Sequence, residues 1–143
     1  GSTTSNDGDV TGNHGARDFW VVKLYSSGVI HWQKCFGGSL DDGASSIQQT
    51  RDGGYIVVGY TDSNDGDVTG NHGARDFCVV KLDGSGNIQW QKCLGGSGNE
   101  GASSIQQARD GGYIIAGASN YSDGDVTGNH GGYDSWIVKL DAN

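Results

Sequence analysis

Asp7–Asp18 reads DGDVTGNHGARD, and nearly the same twelve residues return at Asp65–Asp76 and Asp123–Asp134. Counted from its first aspartate, the stretch has acids at positions 1, 3 and 12, threonine at 5 and glycine at 6. Calcium takes about six to eight hard oxygens, and loops of the EF-hand type supply them from positions 1, 3, 5, 7 and 12 around a turn at position 6. On that template Asp7, Asp9, Thr11 and Asp18 offer side-chain oxygens and Asn13 its backbone carbonyl. The equivalents are Asp65, Asp67, Thr69, Asn71 and Asp76, then Asp123, Asp125, Thr127, Asn129 and Asp134. Threonine replaces the preferred Asp or Asn at position 5, and Asp replaces Glu at 12. Three carboxylates per loop predict a weak site, roughly 10⁻⁴–10⁻³ M.

The same residues also make an ordinary polar turn. Gly8, Gly12 and Gly15 allow a left-handed backbone, and Asp and Asn side chains cap nearby backbone N–H groups. Recurrence does not decide between the two readings, because copying a repeat carries any loop along with it. His14, His72 and His130 occur once per loop, which suits exposed loop histidines better than imidazoles converging on a transition metal. Arg17 and Arg75 are placed to balance neighbouring carboxylates, and Asp42 and Glu100 read as turn-capping acids ahead of GASS. No Ser/His/Asp set or paired general-acid carboxylates can be assembled by spacing, so the expectation is a non-catalytic protein.

The elements that carry these loops repeat every 58 residues. Units 5–62 and 63–120 differ at 15 of 58 positions, so they are near copies, and a partial third unit spans 121–143. The whole of 1–143 reads as one repeat domain. Each unit holds four strand-like runs: GASSIQQT, YIVVGYT, DFWVVKL and IHWQKCF. The second is nearly all apolar and β-branched, as a strand buried on both faces would be. In the last, Ile30, Trp32 and Phe36 are expected to face inward, with His31 and Gln33 outward. With 27 glycines, no proline and no three-turn helical periodicity, the chain is expected to be all-β. Four antiparallel strands per tandem repeat predict β-propeller-type blades, about two and a half in this chain. A closed ring needs about four to eight blades. The chain is therefore expected either to complete a ring as a homo-oligomer by strand exchange or to belong to a longer array.

Charge and cysteines narrow the function classes. A net charge of −8 with scattered Lys and Arg disfavours nucleic acid, which needs a basic surface. No run approaches the roughly 18 apolar residues of a membrane helix, and no secretory h-region is present in these residues. Cys35 and Cys93 hold equivalent places in WQKC, whereas Cys78 stands where the other units have Trp20 and Trp136. The three are expected to be packed free thiols rather than a disulfide framework.

The segments SIQQT-x-DGGYIV-x-GYT and DFWVVKL resemble tandem repeats of the SBBP (seven-bladed bacterial propeller) kind, over nearly the whole chain. That resemblance implies a propeller fold and a secreted or cell-surface bacterial setting, and no defined activity. The leading functional expectation is a structural or interaction module with calcium-braced loops and a protein ligand. The alternative is a glycan-binding propeller whose loop polar groups and an exposed tryptophan meet sugar.

Overall fold

The computed structural model describes residues 1–142. Ten antiparallel strands and no helix occur among them: β1 (Ser2–Thr3), β2 (Asp18–Leu24), β3 (Ile30–Phe36), β4 (Asp42–Gln49), β5 (Tyr55–Thr61), β6 (Asp76–Leu82), β7 (Ile88–Leu94), β8 (Glu100–Gln107), β9 (Tyr113–Ser119) and β10 (Asp134–Leu140). They form three sheets ordered β1-β2-β3, β4-β5-β6-β7 and β10-β9-β8. The complete middle sheet is an up-and-down meander of the four runs in the expected order. No helix is long and apolar enough to cross a membrane.

The side-chain parity of the middle sheet explains its continuous apolar runs. Successive strand residues point to opposite faces. Val57, Cys78, Val80, Leu82 and Cys93 join Phe19, Val21 and Phe36 of the first sheet in one core. Their chain neighbours Ile56, Val58, Phe77, Val79 and Leu94 meet Ala102, Ile105, Tyr113 and Ile115 of the third sheet in another. Both faces of β5 and β6 are thus covered, which is why neither strand shows polar alternation. β10 covers one face only and alternates: Trp136, Val138 and Leu140 pack inward, and Ile137 is 68% exposed.

In β3, His31 is exposed and Trp32 and Phe36 pack into the core, as expected, while Gln33 is half-buried. Cys35, Cys78 and Cys93 are free and buried. The outer sheets leave strand edges open. β1 pairs with β2 only at Phe19 and Asp18, and β10 pairs with β9 alone.

Candidate functional site

The repeated stretch joins the second and third strands of each unit, and its two halves point to different places. In the second half, Asn71 donates from Nδ2 to the Thr61 carbonyl at 3.0 Å and accepts from the Gly73 amide at 2.9 Å. Asn13 and Asn129 make the same pair of bonds, tying the loop to the end of the preceding strand. Thr11 and Thr69 accept from Gln33 and Gln91 of their own units at 2.5 and 2.6 Å. Asp18 is fully buried. Its Oδ2 accepts from the His14 amide and from His14 Nδ1, both at 2.8 Å. Asp76 holds His72 in the same way at 3.0 and 2.7 Å. Asp134 is only part-buried and takes the His130 amide at 2.5 Å.

The first half reaches across to the previous unit. The Gly37–Gly38 turn, which links β3 to β4, lies beneath residues 65–68. The Asp67 amide donates to the Gly37 carbonyl at 2.9 Å, and Asp65 Oδ1 accepts from the Ser39 amide at 2.8 Å. Val68 is buried to 2% exposure in the core between the first two sheets. One period on, the Asp125 amide donates to the Gly95 carbonyl at 2.9 Å. Asp123 accepts from Ser97 twice, at 2.8 Å from the amide and 2.6 Å from the hydroxyl. Val126 is again buried.

Carboxylates gather where these halves meet. Asp42 Oδ2 accepts from the Gly38 amide and the Ser63 hydroxyl at 2.8 Å each, and Oδ1 from the Thr61 hydroxyl. Asp42 thus caps the turn as expected, from a fully buried position. A methyl group on Gly37 would sit 2.7 Å from both Asp18 Oδ1 and Asp42 Oδ2, so those oxygens are at most twice that distance apart. Asp67 Oδ2 lies 3.8 Å from His14 Nε2. The second junction repeats the arrangement around Gly95 with Asp76, Glu100 and Asp125. Glu100 accepts from the Gly96 amide at 2.9 Å and the Ser119 hydroxyl at 2.8 Å.

Burial pushes the Asp42 carboxyl up, against the pull of its hydrogen bonds, and the Asp18 charge adds to the rise. Burial likewise raises Asp76, opposed by His72 and reinforced by Asp125. Asp18 Oδ1 and Asp76 Oδ1 are buried with no hydrogen-bond partner. A buried, unpaired carboxylate oxygen is costly and calls for an explanation.

The five template positions of one loop are therefore shared between two junctions. Asp65 faces the Ser39 turn, Asp67 the previous unit's His14, and Asp76 its own histidine. Among the described residues no group of three or more His, Cys, Asp or Glu side chains could hold a metal ion. Arg75 pairs with both oxygens of Asp62 at 2.7 and 2.9 Å and stacks on Tyr60, so it balances a carboxylate as expected. Thr4 stands in the Asp62 place one period before, opposite Arg17. Sequence reasoning missed the meeting of Asp18 with Asp42 and of Asp76 with Glu100. The signal available was the invariant GG between those acids, which leaves room for carboxylates against the backbone. A scan against protein-family models and a search of curated proteins both find no match.

Proposed function

We propose that the chain is a non-catalytic scaffold and interaction module built as a propeller-type repeat array. The observation that carries this reading is the stacking of three sheets at a 58-residue interval, the middle one covered on both faces. A sheet whose partner is its own next repeat extends by adding units, and each junction reuses the same loop and turn. The stretch of β2 past its short pairing with β1, the open edge of β10 and the exposed Ile114 and Ile137 are the surfaces on which copies of this chain join and complete a ring. Light scattering is expected to give a defined oligomer, and a compact monomer across the accessible concentration range overturns the assembly. The likeness of the repeat motifs to SBBP propellers supports an extracellular or cell-surface setting.

Calcium enters this reading at the junctions, not inside one loop. At each junction two carboxylates would hold it, Asp18 with Asp67 at the first and Asp76 with Asp125 at the second, because Asp42 already accepts from Gly38, Thr61 and Ser63, and Glu100 from Gly96 and Ser119. The unpartnered Asp18 Oδ1 and Asp76 Oδ1 supply the fit. So few carboxylates leave much of the coordination to water and backbone, which suits affinities of roughly 10⁻⁴–10⁻³ M. A ligand that binds only the folded state raises its melting temperature. Melts in millimolar calcium and in EDTA are expected to differ by several degrees, and coincident melts remove the metal.

The glycan reading draws less support. Trp90 is 37% exposed beside a cleft of about 510 Å³, which is the feature a sugar would need. Its equivalent Trp32 packs on Tyr55 and donates to the Gly84 carbonyl of the next unit at 3.3 Å, so that position serves the stacking.

A further inference from the structure

Cys78 breaks the repeat. Trp20 and Trp136 occupy its place in the other units, and in the first sheet Trp20 lies opposite Cys35. In the middle sheet the same register sets Cys78 opposite Cys93, one on β6 and the other on the edge strand β7. Both side chains point into the core between the first two sheets, 0% and 5% exposed.

Directly opposed residues of an antiparallel pair have Cα atoms about 4.5 or 5.5 Å apart, depending on the hydrogen-bonding class. Both values fall within the roughly 4.4–6.8 Å that a disulfide spans. With both side chains on one face, the register sets the pair at a spacing that a disulfide can span. Cys35 has no such opposite, and burial with the nearby Asp18 charge pushes its thiol up to about 11.

We infer that Cys78 and Cys93 form a cross-strand disulfide that fastens the edge strand β7 to β6, with a small-molecule disulfide such as oxidised glutathione as the oxidant. Cys93 is the first to react, because it lies on the edge strand and is the less buried of the two. Its thiolate attacks one sulfur of the oxidant and expels one thiolate. Cys78 then attacks the Cys93 sulfur and expels the second. Two cysteine thiols lose two electrons and two protons, and the oxidant becomes two thiols. The neighbouring Cys93 thiol and burial hold the Cys78 thiol well above its ordinary pKa, so exchange proceeds during folding or when β7 opens, not in the closed sheet.

The test refolds the chain with oxidised and reduced glutathione, then alkylates it under denaturing conditions for mass spectrometry. The expected product carries one alkyl group, on Cys35, and a mapped Cys78–Cys93 peptide. Three alkylated cysteines, or a bridge that includes Cys35 or joins two chains, overturns the inference. Cys35→Ser keeps the bridge, whereas Cys78→Trp, which restores the residue of the other units, gives no bridge. The oxidised form is expected to melt several degrees higher, with the gain abolished by dithiothreitol. A bridge that forms and leaves the melting temperature unchanged or lower overturns the fastening of β7.

Discussion

The loops that start at Asp7 and Asp65 share the residues DGDVTG and nearly the same backbone, with φ of +62° at Gly8 and +65° at Gly66. Their surroundings differ. Residues 65–68 lie on the Gly37–Ser39 turn of the preceding unit and bury Val68. Around Gly8 a methyl group would meet nothing within 4 Å, Asp7 and Asp9 are exposed, and Val10 is only half-buried. The second halves show no such contrast, since His14 holds Asp18 as His72 holds Asp76. The twelve residues are therefore two devices in series. The second half fixes the entry to the unit's own third strand, and the first half latches that unit to the one before. The turn keeps its shape without a neighbour, so the sequence presents a preformed latch.

Substituting the latch glycines is the strongest way to break this comparison. A side chain in the left-handed region costs about 1–2 kcal/mol at either position. At Gly66 the added methyl also meets the Gly37 carbonyl oxygen at 2.5 Å, and overpacking adds about 1–3 kcal/mol. Urea denaturation is expected to show Gly66→Ala losing about 2–5 kcal/mol in all and Gly8→Ala about 1–2. Gly124 meets the Gly95 carbonyl oxygen at the same 2.5 Å, so Gly124→Ala should follow Gly66. Equal losses at Gly8 and Gly66 would show that the contact with the neighbouring turn is energetically idle.

The buried valine comes next. Val68→Ala removes two methyl groups from a closed core, at about 0.8 kcal/mol each for transfer plus a cavity contribution, or about 2 kcal/mol in total. Val10→Ala should cost less than half of that in the same urea experiment, because the side chain is already partly in water.

How far the sequence discloses this division can be read from particular residues. The strands were legible because their pattern is local. Ile56, Val57 and Val58 run together since both faces of β5 meet a core, whereas the single core of β10 was not legible, because Ile137 is as apolar as its buried equivalent Val79 and is nonetheless exposed. The acid spacing in the loop was legible too, but what each acid faces was not. Asp65 bonds Ser39, 26 residues upstream, and no rule counted within a twelve-residue window reports that partner. The Cys78–Cys93 pairing depends on register, which appears only when strands β6 and β7 are set side by side. The GG turns looked like chain reversals, and their second use, as the floor beneath buried carboxylates, needs the neighbouring unit to be seen.

Asp65 tests the polar part of the latch. Its hydrogen bonds from Ser39 lower its pKa, yet the side chain is exposed, so its contribution is small. Asp65→Ala should shift the urea midpoint downward by a fraction of the Val68→Ala shift, and Asp7→Ala should leave it unmoved. A shift at Asp7 as large as at Asp65 would contradict the assignment of the first half to the junction.

The smallest effect belongs to the third residue of the loop and is read through pH. The Asp125 charge adds to the burial that raises Asp76, whereas Asp9 is exposed and meets no buried acid of another unit within residues 1–142. Because the folded Asp76 holds its proton more tightly than the unfolded chain does, its contribution to stability is complete below the ordinary carboxylate value of 3.8 and falls as pH climbs through the raised one. Asp125→Asn removes one source of that rise. In EDTA its stability should therefore decline less than that of the parent between pH 4 and neutrality, while Asp9→Asn tracks the parent throughout. Added calcium should reverse the order at neutral pH, since the parent then keeps a ligand that the variant has lost. Parallel pH profiles for all three proteins in EDTA would mean that the carboxylate of the loop does not reach the buried acid of the preceding unit.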